Sequence, residues 1–491
     1  MKKEILCILS FISLVVCHSQ TTNDFNDFRN EILNGFTKER ESIRNDYNSF
    51  RENINAEYSN FLRNAWSSLS AFAPIMKPKD SSPVPPVIFD EKKVTSPITI
   101  DTKPLPVPKP YNSPKPVEPI EENDQSKQQL VIEFYGLTIP IRVPEFSSIS
   151  ISNNENEIAA AWDKFSDGSF ENSLYDLQSV KTSNDLCDWA YMQMVKRFST
   201  DYFPNSNAAS LLTAWFLCQS GYQIRIAKDS SNIVVLYASN HTIFDQAYFI
   251  VDGMKYYPLD NKSSNIKICN AVFKGETPLS LSIPKAQKFG ENMSEKRVIK
   301  SSRYPNIKAY VSVNKNLIDF YNNFPTSAIG GNPLSRWAIY ANTPFDTKSS
   351  YSLYSQLNSN LSSISKLDAV EILLNWVQTG FEYEYDDIVW GHDRAFFAEE
   401  TLFYPYADCE DRSILFSHLV RELLGLEVAL IYYPGHLAAA VSFNEEVSGD
   451  AVNVNGKKFI ICDPTYIGAP VGAQMPNLEY DKIQAIVLNS K

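Results

Sequence analysis

The chain is 491 residues long and carries 45 lysines and arginines against 57 aspartates and glutamates, a formal net charge of −12. Such acidity excludes the basic footprint of a nucleic-acid-binding protein. With 44% hydrophobic and 13% aromatic residues the chain is not disordered throughout, and it has material for two or three domains. Beyond the first twenty residues no apolar run reaches the roughly 18–20 residues that span a bilayer, so an integral membrane protein is not expected.

Lys2 and Lys3 precede an apolar stretch, 5–17, that is too short to span a membrane, and small residues at Cys17 and Ser19 fit cleavage after Ser19. Segment 1–19 therefore reads as a secretory signal peptide, placing the chain in the periplasm, at the cell surface or outside the cell. The alternative is a lipoprotein with a membrane anchor on Cys17, although Val16 is bulky where that motif wants a small residue. Without Cys7 and Cys17 five cysteines remain, an odd number that leaves at least one free thiol.

From 20 to 73, Phe25, Phe28, Ile32, Phe36, Ile43, Tyr47, Phe50, Ile54, Tyr58, Phe61 and Leu62 recur mostly every three or four residues, the stripe of one long amphipathic helix. That stripe suits self-association, a partner or the chain's own globular part. Segment 74–127 holds thirteen of the 28 prolines and reads as a semi-rigid polyproline-type spacer. Beyond it helical and strand patterns alternate, which predicts an α+β fold, divided into a domain at 128–293 and another at 294–491.

The chemistry concentrates between Asp408 and Asp463. Asp408-Cys409-Glu410-Asp411-Arg412 opens an apolar helix that stops at Gly425, putting Cys409 in the first turn with Asp408 as cap. There the helix dipole favours a thiolate, Glu410 and Asp411 oppose it, and a cationic partner is needed. A strand at 427–433, the breaker Pro434-Gly435 and a strand opening at His436 bring that histidine back to the helix start. A third strand ends at Cys462-Asp463-Pro464, leaving a carboxylate at a strand end. Cysteine, histidine and aspartate in this order suit a thiol-imidazole pair with an orienting acid.

These three motifs, Asp-Cys-Glu-Asp-Arg, Pro-Gly-His-Leu-Ala and Cys-Asp-Pro-Thr-Tyr, resemble bacterial transglutaminase-like cysteine proteins over residues 365–472, and more weakly back to about 295. The resemblance implies a papain-like α+β core with Cys409 as nucleophile, His436 as base and Asp463 as its orienter. Ala407 stands where many such proteins have Gly, and the Tyr-Gly-x-Cys-Trp signature of the animal cross-linking enzymes is absent.

Upstream, the helix ending at Asn375-Trp376-Val377-Gln378 leads into a loop rich in aromatics. It reads as a groove wall, with Gln378, Tyr404 and Tyr406 as candidates to line the groove or hold an oxyanion; each is equally explained by packing. His418 falls on the face of its helix opposite Cys409, a packing or surface residue, and His392 reads as an exposed loop histidine. No two histidines stand at metal-ligand spacing, so neither a catalytic metal nor a cofactor is expected.

Helix 210–220, Gly221 and the strand after it align without gaps on 414–424, Gly425 and the strand that follows. At that offset Asn205 falls at Cys409; farther on, Asn232 takes the place of His436 and Asp260 that of Asp463. Domain 128–293 is on this reading a degenerate copy of the same unit, without thiol chemistry. The expected function is a secreted cysteine enzyme acting on amide bonds of a protein or peptide, hydrolysis preferred and transamidation open. The alternatives are a non-catalytic binding or scaffold protein at the cell surface, and a precursor whose linker or helix covers the groove until proteolysis.

Overall fold

The computed structural model describes residues 22–78, 83–93, 96–105, 114, 128–145, 149–260 and 264–489. Segment 1–19, read as a signal peptide, and with it Cys17, lies outside them. The chain is a mixed α+β protein, and among the described residues no helix is long and apolar enough to cross a membrane.

The long helix, α1 (Thr22–Asn64), stops nine residues short of the sequence-based boundary at 73. Trp66 and Leu69, set among serines, favour extended backbone, and Trp66–Ser70 form strand β1. Among its described side chains, the C-terminal part of the α1 stripe meets its own chain. Ile54, Tyr58 and Leu62 are buried in the main core, and the Tyr58 ring lies 4.7 Å from that of Trp162 in helix α2 (Glu155–Phe165). The Asn55 carbonyl accepts from Trp162 Nε1 at 3.1 Å and from Gln219 Nε2 at 2.8 Å.

The described part of 74–127 is not a free spacer either. Proline keeps it extended, but the residues between the prolines retain N–H groups and β-branched side chains, so it docks as short edge strands, where proline is tolerated. These are β2 (Val87–Ile88) and β3 (Thr99–Thr102). Leu105 is buried beyond them, and its N–H donates to Ala485 O at 2.7 Å.

Helices α3 (Asp188–Tyr202) and α4 (Ser206–Gln219) lead into strands β4 (Ile224–Lys228), β5 (Ile233–Ala238), β6 (Phe249–Val251), β7 (Met254–Pro258) and β8 (Asn265–Cys269). Helices α5 (Lys366–Gly380) and α6 (Cys409–Leu419) lead into β9 (Glu427–Tyr433), β10 (His436–Ser442), β11 (Ala451–Val454), β12 (Lys457–Cys462), β13 (Tyr466–Ile467) and β14 (Gln484–Val487).

The two large sheets run β1-β8-β4-β5-β7-β6 and β14-β9-β10-β12-β11-β3. Each takes the strand after its buried helix, hairpins it to the next, inserts the fourth strand before the third, and returns the last strand to the far side of the first. All of these pairings are antiparallel. The N-terminal region adds β1 to β8 in one sheet and β3, parallel, to β11 in the other. The segments 128–293 and 294–491 share a continuous core that also takes in α1.

Candidate active site

Helix α6 is buried along its whole length and begins at Cys409, with Asp408 as its cap. Its start is clamped from below. The Asp411 carboxylate accepts from the N–H groups of Phe396 (2.8 Å) and Asp408 (3.3 Å). The buried Arg412 guanidinium donates to the carbonyls of Ala407 (3.1 Å), Gln378 (3.0 Å) and Phe381 (2.9 Å). An arginine with three carbonyl partners binds the end of α5 to the start of α6 and so fixes where Cys409 stands.

The histidine arrives through a tight turn. Gly435 adopts φ 80°, a left-handed conformation that glycine takes without strain, and Tyr433 faces His436 across the hairpin of β9 and β10. Ser413 Oγ of α6 donates to Leu437 O at 3.0 Å and ties the hairpin to the helix. Pairing of β10 with β12 then brings Asp463, the residue after β12, beside the histidine: His436 Nε2 and Asp463 Oδ2 are 2.8 Å apart. The other aspartate oxygen accepts from Thr465 N at 2.8 Å, which holds the carboxylate in place.

With Nε2 engaged, His436 Nδ1 is left buried without a hydrogen-bond partner. Cys409 and His436 line one cavity of about 80 Å³, together with Tyr383, Tyr385, Trp337 and Pro83. Cys409 is 9% exposed. Its pKa lies well above that of a free thiol, first because of burial and then because of the Glu410 and Asp408 carboxylates; a hydrogen bond from the Leu437 backbone acts the other way. The resting group is thus a thiol, donating to Glu410 Oε2 at 3.1 Å.

The surroundings are acidic. Burial, then Glu410, pushes Asp386 up to about 8, and burial, then Asp393, raises Glu410. The carboxylates of Asp386, Asp393 and Glu410 come within 4.8 Å of one another, as do the ligand atoms of Asp408, Cys409 and Glu410, so among the described residues these are the groups able to hold a cation. The chain supplies one itself: the Lys77 ammonium lies 3.2 Å from the Asp393 carboxylate.

The other sequence-derived candidates lie elsewhere. Gln378 is buried, but its amide donates to the carbonyls of Asp463 (3.1 Å), Tyr466 (2.8 Å) and Ala469 (3.1 Å), and its carbonyl accepts from Gly468 N at 3.1 Å. It has no donor left for an oxyanion and instead shapes the turn after Asp463. Tyr404 packs on Trp390 and Phe396 and donates to Asn322 at 3.0 Å, and Tyr406 is exposed. His418 is a buried packing residue, edge-on to Phe345, and His392 is exposed. All five described cysteines are free thiols.

In the first sheet Asn205 caps α4 through Ala208 N at 3.0 Å, Asn232 is bonded to Asp229 on the surface, and Asp260 pairs with Lys196. They do not converge. Sixteen residues separate Cys409 from Gly425 but fifteen separate Ser206 from Gly221. The extra one is absorbed by a π-turn, Val420–Leu424, so by helix starts Ser206, not Asn205, stands where Cys409 does.

Trp337, Pro83 and Asp387 were not anticipated as cavity residues, whereas Asp386 and Asp393 fall in the loop read as a groove wall; only the density of carboxylates over 382–393 could have signalled that they line it as an acidic cluster. No family model, curated protein or solved structure matches this chain.

Proposed function

We propose that this chain is an exported cysteine enzyme of the transglutaminase-like, papain-like kind, acting on amide bonds of a protein or peptide through an acyl-enzyme on Cys409. The observation that carries the reading is the histidine, which is bound to Asp463 through Nε2 and leaves Nδ1 unpartnered and buried in the cavity that Cys409 lines. The basic start and short apolar stretch of residues 1–19 support export.

In this mechanism His436 Nδ1 takes the thiol proton as sulfur attacks the carbonyl carbon, and Asp463 stabilises the imidazolium that forms. The oxyanion meets the Cys409 N–H, which has no partner within its helix, and the indole N–H of Trp337, buried without a partner beside the same cavity. His436 then returns the proton to the leaving amine. Water completes hydrolysis, and an amine in its place completes transfer. The raised thiol pKa requires sulfur and proton to move together, because a standing thiolate is disfavoured among these carboxylates.

The matching strand orders support a duplication, with the first unit a non-catalytic copy. Pre-steady-state hydrolysis of p-nitrophenyl acetate tests the reading. The expected result is a burst of one nitrophenolate per chain with an acetyl group on Cys409, lost in His436→Ala. A chain with no burst and no adduct is instead a binding or scaffold protein.

A further inference from the structure

A cavity of about 80 Å³ is small for a site that must admit a peptide, since ligand pockets hold roughly 300–1,000 Å³. The chain's own N-terminal region lies against it. Asp245 N donates to Ile75 O at 2.9 Å, and Lys77 N donates to Asp245 Oδ1 at 3.2 Å. The Lys77 ammonium then reaches the carboxylate and the carbonyl of Asp393. Pro83 lies against the cavity of Cys409 and His436, and Val84 N donates to Gly435 O, one residue before the histidine, at 2.9 Å. Beyond it β2 pairs with β13, three residues after Asp463, Phe89 N donates to Ile467 O at 2.9 Å, and the Phe89 ring meets Tyr466. The described residues thus stand at three places: Lys77 at the acidic side of the site, Pro83 and Val84 at the cavity of the thiol and imidazole, and Phe89 at the turn behind the aspartate.

Its chemistry matches the groove at each point. Prolines 83, 85 and 86 hold it extended, and the one N–H among these four residues is spent on Gly435. Its lysine enters a cluster in which Asp386, Asp387, Asp393, Asp408 and Glu410 all line the cavity. A neutral or acidic side chain there would leave those carboxylates without this counter-charge. The unpartnered Nδ1 of His436 faces a site closed by a contact, not by a bond to the histidine itself.

We infer that this groove is a binding site for an extended peptide with a basic side chain, and that the chain's own Lys77 and residues 83–89 are its resident occupants, holding Cys409 out of reach until they are displaced. The inference rests on Cys409 being the reactive group of the groove, and its test reads the thiol rather than turnover.

The test uses the full chain carrying Lys77→Met and Val84→Pro, neither of which touches the triad; the second removes the N–H given to Gly435 while keeping the backbone extended. Alkylation of each cysteine by iodoacetamide is followed by peptide mass spectrometry. The expected result is reaction at Cys409 on the order of tenfold faster, as for loss of a backbone hydrogen bond and an ion pair, with the four other thiols unchanged. A synthetic peptide of residues 75–90 should slow it again, and the same peptide with glutamate at the lysine position should not. An unchanged Cys409 rate overturns the occupancy; acceleration that neither peptide reverses, or that both reverse equally, overturns the basic-peptide site. If all five thiols react faster the fold has opened, and Lys77→Met alone, which keeps every backbone bond, decides: faster reaction confined to Cys409 upholds the inference and an unchanged rate overturns it. A chain that passes these tests yet gives no acyl-enzyme burst blocks a groove without being this enzyme.

Discussion

The two six-stranded sheets are built to one plan and differ in what stands at three strand and helix ends. Each receives a buried helix, a hairpin and an inserted fourth strand. At the helix start one has Cys409 and the other Ser206; at the hairpin one has a buried histidine and the other an exposed Asn232. After the fourth strand one has a buried Asp463 bonded to that histidine, and the other an exposed Asp260 paired with a lysine. Topology therefore does not confer chemistry. The hairpin turn does much of the work: Pro434-Gly435 delivers His436 directly, whereas four residues, 229–232, separate the paired Lys228 and Ile233. The approach to the helix differs as well, with thirty-three residues from Trp376 to Cys409 against seventeen from Trp189 to Ser206, and the longer path supplies the acidic wall.

Four substitutions would break or sharpen this contrast. Cys409→Ala should lower acyl transfer at least about a thousandfold, while Ser206→Ala leaves it unchanged, as measured by ester burst and peptide-amide turnover; a comparable loss in both would make the first sheet catalytic. Asp463→Asn should cost on the order of a hundred- to ten-thousandfold in rate through loss of the imidazolium's partner, and Asp260→Asn should cost nothing.

A pH dependence separates the longer loop from its short counterpart. Burial raises Glu399 to about 8 and Glu400 to about 7, above the 4.5 of an exposed glutamate. The folded state therefore holds these protons more tightly than the unfolded one. The stability they confer is complete below pH 4.5 and is lost as pH rises through 7 and 8. Urea midpoints should fall between pH 5 and pH 8.5, and Glu399→Gln should recover roughly 1–2 kcal/mol at the upper end with little change at the lower. Smallest of all, Asn205→Ala should lower stability by about 1 kcal/mol through loss of its bond to Ala208 N, with activity intact. A loss of activity there would show that the first unit positions the second.

The grouping of Cys409, His436 and Asp463 was legible because the three residues each sit at a break in a local pattern: the start of an apolar helix, a Pro-Gly turn and a strand stopped by proline. Strand limits at Glu427 and Tyr433, and the helix end at Gly425, follow the same signals. What could not be read depends on distant pairing. Nothing local in Val87-Ile88 or Thr99-Ile100 announces a partner more than 300 residues away, so a proline-rich composition was taken for a spacer. Gln378 was read as a groove or oxyanion residue, but its hydrogen-bond partners come from the turn after Asp463. The helix boundary at Asn64 yielded to β1 because the acceptor strand β8 lies almost 200 residues ahead.

The pairing of β3 with β11 has a further consequence. A sheet edge left open is a template for other chains, and β11 would be such an edge if the protein were shortened to begin at Gln128. The proline-rich region is in that sense a clasp sewn along the hem of the second sheet. A chain without that clasp would offer β11 to its copies as an open edge.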